Sequence, residues 1–312
     1  MKQIKIQSMN GREVPAVIVG CMRQAGFTDN PFSPEEMRAF IDKAVENDAI
    51  YFDHADIYGI GRAEEVFGKA MALDPAIRRE DLILQSKCGI QNGFFDSSKE
   101  HILEAVDGIL ERLQTEYLDV LLLHRPDALI EPEEVAEAFD LLESSGKVRY
   151  FGVSNYTPGQ IELLKTCVKQ DLVFNQMECS IVHAGMITQG IEANMTTEGS
   201  FDHDGDILNY CRKNGITMQA WSPFQISLRA GSFIDNENYP ELNEALADLA
   251  EAHGSTKTGI AAAWLLRHPA KMQVVVGTSR VERLAEVIRA SGIELSRPEW
   301  YRLYKAAGHI LP

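Results

Sequence analysis

Positive charge is what this chain has least of. Only 30 Lys and Arg stand against 46 Asp and Glu, giving a formal net charge of −16 and a pI near 5.0. Nucleic acid and anionic membranes both require basic surface, so neither is expected as a partner, and an anionic ligand needs a local basic pocket. Long apolar runs are missing too: none is long enough to span a bilayer and no apolar h-region follows the first residues, so a cytoplasmic protein without a membrane partner is expected. Cysteine is sparse. Cys21, Cys88, Cys167, Cys179 and Cys211 are odd in number, widely spaced and without a C-x-x-C pair, which favours reduced, packed thiols over a disulfide framework or a zinc site. No linker or charge block divides the 312 residues, so one domain over 1–312 is expected. A complete G-x-G-x-x-G is also lacking. Gly59-Ile60-Gly61 is a fragment, and it follows the second strand rather than the first, which argues against a doubly wound dinucleotide-binding sheet.

What is present is alternation. Strand-like apolar runs stand at 16–20, 49–54, 82–87, 118–124, 148–154, 172–177, 216–221 and 272–276, with amphipathic helical stretches between them. Ser33-Pro34-Glu35-Glu36 reads as a capping box with proline at the first helical position, followed by Met37, Phe40, Ile41, Ala44 and Val45 on one face. Thr157-Pro158-Gly159-Gln160 and Ser279-Arg280-Val281-Glu282 repeat that start signal. Near-continuous apolar strands covered by helices are parallel strands, and eight of them select a single (β/α)8 TIM barrel. Asn10-Gly11 between two alternating segments signals an N-terminal hairpin that closes the bottom of the barrel. The connections at 178–206 and 222–241 exceed ordinary lengths and are expected as extended loops on the C-terminal face, where they would shape access for substrate.

Four residues end or follow three successive strand runs: Asp53, Tyr58, Lys87 and His124. Parallel strands sharing one end bring such side chains together at the barrel mouth. A free phenol titrates near ~10, so an adjacent ammonium, Lys87, is expected to lower the Tyr58 value and make it a proton donor for carbonyl reduction. Asp53 would hold Lys87 charged, and His124 would orient the substrate carbonyl. A metal site is the rival use of Asp53, His54, Asp56 and His124, but no H-x-H occurs and later strand ends offer no comparable ligands, so no metal is expected. At the last strand, Gly277-Thr278-Ser279-Arg280 opens a helix. Free backbone N–H groups, two hydroxyls, Arg280 and Arg283 make that start an anion site.

Several ordered motifs make the chain resemble the aldo-keto reductases over nearly its whole length. They are Tyr51-Phe52-Asp53-His54-Ala55-Asp56-Ile57-Tyr58-Gly59, Ser86-Lys87-Cys88-Gly89, the LLLHRPD of 121–127, the GKVRYFGVSN of 146–155, Asn175-Gln176-Met177-Glu178 and Trp221-Ser222-Pro223. The bacterial oxidoreductase branch whose fourth strand ends in HRPD is the most similar. The resemblance implies that Asp53, Tyr58, Lys87 and His124 are a catalytic tetrad acting on a small-molecule carbonyl, an aldehyde or ketone. It also implies a cofactor, NADPH in preference to NADH. Ser154, Asn155 and Gln176 would hold the nicotinamide carboxamide, and Trp221 would stack on its ring where many members have tyrosine. Gly20, Cys21 and Met22 after the first strand, and Ser222, Pro223 and Phe224 after the seventh, would complete the cofactor wall. Gly277, Thr278, Ser279, Arg283 and Glu286 would face the adenosine phosphate, Arg283 engaging the 2′-phosphate. Two positions depart from the family pattern: Gly277 stands where many members carry lysine, and Val287 where many carry asparagine. Within this family the potassium-channel β subunits offer an alternative reading, a cofactor-sensing protein on a reductase scaffold. The stretch 187–200 looks like an extension relative to many members. Oligomeric state is not readable from the sequence.

Overall fold

In a computed structural model, which describes residues 1–25, 30–227 and 230–311, all eight apolar runs form parallel strands of one closed barrel. A hairpin of β1 (Gln3–Ile6) and β2 (Arg12–Pro15) precedes them. The barrel strands are β3 (Val17–Gly20), β4 (Tyr51–Asp53), β5 (Ile83–Cys88), β6 (Leu118–Leu123), β7 (Val148–Ser154), β8 (Leu172–Glu178) and β9 (Thr217–Trp221). A second small hairpin, β10 (Gln225–Ser227) with β11 (Gly231–Ser232), leaves the mouth before β12 (Gln273–Val276) pairs with β3 and closes the ring. Every residue of β5 and β6 is buried, as expected of strands with side chains in the barrel on one face and under helices on the other.

Local chemistry sets the helices that hold this ring. Ser33 accepts from the Glu36 N–H at 3.2 Å while Glu36 accepts from the Ser33 N–H at 2.8 Å, so helix Pro34–Glu46 starts as expected and buries Met37, Phe40, Ile41 and Ala44. Helices Arg62–Leu73 and Lys99–Leu113 approach so closely at Gly68 that a Cβ there would lie 2.3 Å from the Arg112 carbonyl oxygen. One start signal fails. The last crossover helix runs Val281–Ala290 with Arg280 at its N-cap, and the Arg280 N–H goes to Thr278 Oγ1 at 3.1 Å, so Ser279 caps nothing. Two hydroxyls stood side by side, and the buried one took the bond.

The N-terminal hairpin packs Ile4, Ile6 and Val14 under the N-terminal end of the barrel. Its connection is longer than Asn10-Gly11 alone, because a 3-10 turn at Gln7–Met9 comes first and both Asn10 and Gly11 then adopt positive φ. The connection 178–206 is not simply a loop. It contains helix Gly185–Ile191, tied to the C-terminal helix Arg297–Ala306 by the Tyr304 hydroxyl on Thr188 Oγ1 at 3.1 Å. All five cysteines are free thiols and four are buried. Among the described residues no helix is long and apolar enough to cross a membrane.

Candidate active site

Three neighbouring strands carry the four polar side chains to one place. Asp53 ends β4, Lys87 is the fifth residue of β5, and His124 follows β6 with its N–H on the Cys88 carbonyl at 2.8 Å. Tyr58 comes from the turn after β4. Lys87 Nζ is fully buried and donates to Asp53 Oδ2 at 2.7 Å, to the His54 carbonyl at 2.7 Å and to the Tyr58 hydroxyl at 3.2 Å. The Tyr58 and His124 rings meet edge to face with centroids 6.0 Å apart. All four residues singled out in the sequence therefore converge.

Beneath them lies a polar floor of which sequence reasoning named only Gln176, as a cofactor residue, and missed the other three members. Gln85, Gln176, Gln219 and Gln273 are all buried inside the barrel. Asp53 Oδ1 accepts from Gln85 Nε2 at 2.6 Å and from Gln176 Nε2 at 3.1 Å. A carboxylate only accepts, so it fixes both amides with their NH2 groups toward it. Gln219 Oε1 then accepts from the same two nitrogens at 2.9 and 3.0 Å, while its own NH2 goes to Gln273 Oε1, whose amide donates to the Pro15 carbonyl at 2.7 Å. The chain of amides is oriented from both ends and holds Asp53 from below. A glutamine inside each of four strand runs was the signal available.

A family model described as the Aldo/keto reductase family matches residues 16–307. The uncharacterized oxidoreductase YcsN of Bacillus subtilis is 35% identical over 296 residues, covering 90% of this chain and 91% of that protein. The 6-dehydroglucose reductase of Agrobacterium fabrum is 32% identical over 305 residues, 95% of each. The crystal structure of the thermostable aldo-keto reductase Tm1743 with the inhibitor epalrestat matches with a TM-score of 0.77 at 30% identity, covering 98% of this chain and all of that one. This chain belongs to the aldo-keto reductase family.

The residues that the aldo-keto reductase resemblance assigns to a cofactor form a rim around the tetrad. Ser154 Oγ donates to the Gln176 carbonyl at 2.9 Å, and Asn155, at φ 62°, donates to Ser154 Oγ at 2.8 Å and accepts from the Trp221 indole at 3.2 Å. Trp221 is half-buried, with Ser222, Pro223 and Phe224 following it into β10. Gly20 pairs with Asp53, and the Cys21 N–H donates to the Asp53 carbonyl at 2.9 Å, so the chain leaves β3 beside the tetrad and enters the short helix Met22–Ala25. Across the rim, Gly277, Ser279, Arg280 and Arg283 are exposed and Glu286 is half-buried. Thr278 departs from expectation: it is buried and its hydroxyl is spent on the Arg280 backbone, leaving one open hydroxyl, that of Ser279. Val287 is fully buried in the core.

Sequence reasoning also missed Arg23. Its side chain lies 3.9 Å from where a Gly277 Cβ would be, in the space a longer residue at 277 would enter. Burial lowers the Arg283 value, and the charges of Arg280 and Arg23 lower it further against an opposing pull from Glu286. Three guanidiniums therefore crowd one spot, and among the described residues none has a carboxylate within 4.0 Å. The neighbouring Gln24 donates to the Thr278 carbonyl at 2.9 Å but leaves its buried Oε1 without a partner there.

Electrostatics set the protonation of the tetrad. Burial pushes the Tyr58 hydroxyl up, the Lys87 ammonium pulls it down, and it ends above the usual phenol value. The expected lowering is thus outweighed by desolvation, and the phenol keeps its proton at neutral pH. Burial works against the Lys87 charge, but Asp53 and Tyr58 overcome it and hold Lys87 above its usual value. Burial, Lys87 and Arg125 hold His124 well below the ordinary histidine range, so it is a neutral imidazole. His54 is pushed down to about 3 by burial and Lys87, and its ring packs edge-on against Phe67 at 4.8 Å. Among the described residues no three His, Cys, Asp or Glu side chains are grouped to hold a metal ion.

Asp56 provides a pH test. Unfolded, it loses its proton near ~3.9; in the folded chain burial and then Glu64 raise it to about 7. Between those values the native state binds more protons, so stability falls as pH rises and the loss is complete above about 7. Asp56→Asn removes that loss. Its melting temperature should exceed the parent's at about pH 8, and the gain should shrink toward about pH 5; an equal gain at both would refute the buried-carboxyl account.

Proposed function

We propose that residues 1–312 act as one barrel domain, an NADPH-dependent reductase of aldehydes or ketones. The observation carrying this reading is Lys87 Nζ, donating at once to Asp53 at 2.7 Å and to the Tyr58 hydroxyl at 3.2 Å at the mouth of the barrel. Bound nicotinamide supplies a hydride to the carbonyl carbon. Tyr58, protonated at neutral pH, gives its proton to the oxygen as negative charge grows there. Lys87 stabilises the phenolate left behind, and Asp53, fixed by Gln85 and Gln176, keeps Lys87 charged and aimed. His124, neutral, offers an N–H to the carbonyl oxygen and orients it.

The cofactor fits the chain's own groups. With its NH2 spent on Asp53 and Gln219, Gln176 has its carbonyl left for a carboxamide, and Asn155 and Ser154 stand beside it. Trp221 offers an indole for stacking. Arg23, Arg280 and Arg283, without a carboxylate partner among the described residues, suit a phosphate dianion, with Arg23 supplying the cation that Gly277 lacks. Arg283→Ala and Arg23→Ala should each raise the KM for NADPH roughly tenfold or more, with little change for NADH. Equal effects on both cofactors would remove the 2′-phosphate role.

Arg125 and Glu178 flank the site, and the Glu178 Oε1 and His124 Nδ1 atoms are buried with no partner among the described residues. Such a mouth suits a hydrophilic carbonyl. One relative is named a 6-dehydroglucose reductase, so sugar aldehydes and keto-sugars head the test panel, with short aldehydes, dicarbonyls and quinones behind them. NADPH consumption with one of these classes supports the reading, and no consumption with any of them overturns it.

A further inference from the structure

Ile187, Gly190 and Ile191 help to line a cavity away from the tetrad. Its volume is about 420 Å³, within the usual range for small-ligand pockets. It lies on the outer wall of the barrel, between helix Ile207–Asn214, which leads into β9, and helix Lys257–Arg267, which leads into β12. Helix Gly185–Ile191 forms one side and the C-terminal helix Arg297–Ala306 another. None of its lining residues belongs to the tetrad or to the cofactor rim.

The lining divides into two halves. Arg212, Arg267 and Arg297 bring three guanidiniums to it, and among the described residues none of them has a carboxylate within 4.0 Å. That is notable in a chain of net charge −16. Arg267 is anchored by its Nε on the Leu295 carbonyl at 2.7 Å, which leaves its terminal nitrogens uncommitted. His268 stays neutral, because burial and then Arg212 push it down to about 4. Its Nδ1 accepts from the Ala270 N–H at 3.2 Å, so the tautomer carries its proton on Nε2 and adds a donor. The other half is apolar: Ile187, Leu208 and Trp300. Trp300 stacks with Trp264 at 4.6 Å and with Tyr304 at 5.8 Å, and Tyr301, which also lines the cavity, meets it edge to face at 4.9 Å, so this wall is an aromatic cluster that suits another ring.

We propose that this cavity binds a small aromatic anion, a carboxylate or phosphate monoester, with the arginines on the charge and the ring against Trp300. The recognition needs both halves. Guanidinium forks pair bidentately with such groups, whereas the apolar wall gains only from a ligand with a hydrophobic body.

Fluorine NMR of 5-fluorotryptophan-labelled protein tests this, because the chain has 3 tryptophans and each gives one resonance. Trp300→Phe and Trp221→Phe, each by the resonance it removes, assign the three signals, and Trp221 reports the barrel mouth. Titration with 2-naphthyl phosphate should move the Trp300 resonance saturably. The double variant Arg212→Ala, Arg297→Ala replaces exposed side chains, keeps the parent melting temperature and carbonyl-reducing rate, and should bind roughly tenfold more weakly or worse. Inorganic phosphate and 2-naphthol, each carrying half of the ligand, should move the resonance far less at the same concentration. The proposal is overturned if only Trp221 responds, if the double variant binds as tightly as the parent, or if either half-ligand matches the whole.

Discussion

Replacing Tyr58 with phenylalanine should lower kcat for carbonyl reduction about 10³-fold, the range a positioned general acid contributes. The variant keeps the ring that meets His124 at 6.0 Å and leaves Lys87 its bonds to Asp53 and the His54 carbonyl. Fold and cofactor affinity should therefore match the parent. Steady-state NADPH oxidation and a fluorescence titration of the cofactor separate the two quantities. Because burial holds the Tyr58 hydroxyl above the usual phenol value, the parent should keep its reductive activity from neutral into mildly alkaline pH and lose it only where the phenol deprotonates. Near-parental turnover in the phenylalanine variant would mean that another group delivers the proton.

Asp53→Asn should be nearly as severe, and it should act on stability as well as rate. Lys87 is fully buried, with Asp53 as the carboxylate on its ammonium. Neutralising one partner of such a pair costs about 3–5 kcal/mol, because the remaining charge stays out of water. Lys87 would respond by giving up its proton. In the parent its value is raised, so its contribution to stability is fully present below the unfolded lysine value near ~10.4 and is lost only above it. In the variant the folded value drops below the unfolded one, so stability rises with pH across that interval. The deficit relative to the parent should accordingly be largest near neutrality and shrink toward about pH 10, as read from denaturant melts at both. A pH-independent deficit would point to lost hydrogen bonds with Gln85 and Gln176 rather than to an unpaired buried ammonium.

The barrel and the tetrad were legible because one periodicity encodes both. Eight apolar runs set the strands, and a polar residue closing such a run has to sit at an end of the barrel. Other features had weaker signals. Gln85, Gln219 and Gln273 lie inside those runs, where a hydrophobic pattern reads past a polar letter, although a buried amide demands partners and implies a network; Gln176 was named for the cofactor and not for that network. Arg23 follows β3 in a helix of four residues, and only the three-dimensional approach to Gly277 reveals its use. Helix Gly185–Ile191 buries Thr188 and Gln189 alongside Met186 and Ile187, so no amphipathic stripe announces it. The pKa of Tyr58 was misjudged for a different reason: a neighbouring charge can be read from a motif, whereas the depth of burial that opposes it cannot.

The most direct test of the account follows the hydride. The protein is loaded with NADPH deuterated at nicotinamide C4 and mixed with a sugar aldehyde, a keto-sugar or a short aldehyde, and the alcohol formed is analysed by mass spectrometry. The account predicts one deuterium on the carbinol carbon with the parent chain and almost none with Tyr58→Phe. An alcohol without deuterium, or equal labelling by both proteins, would contradict it.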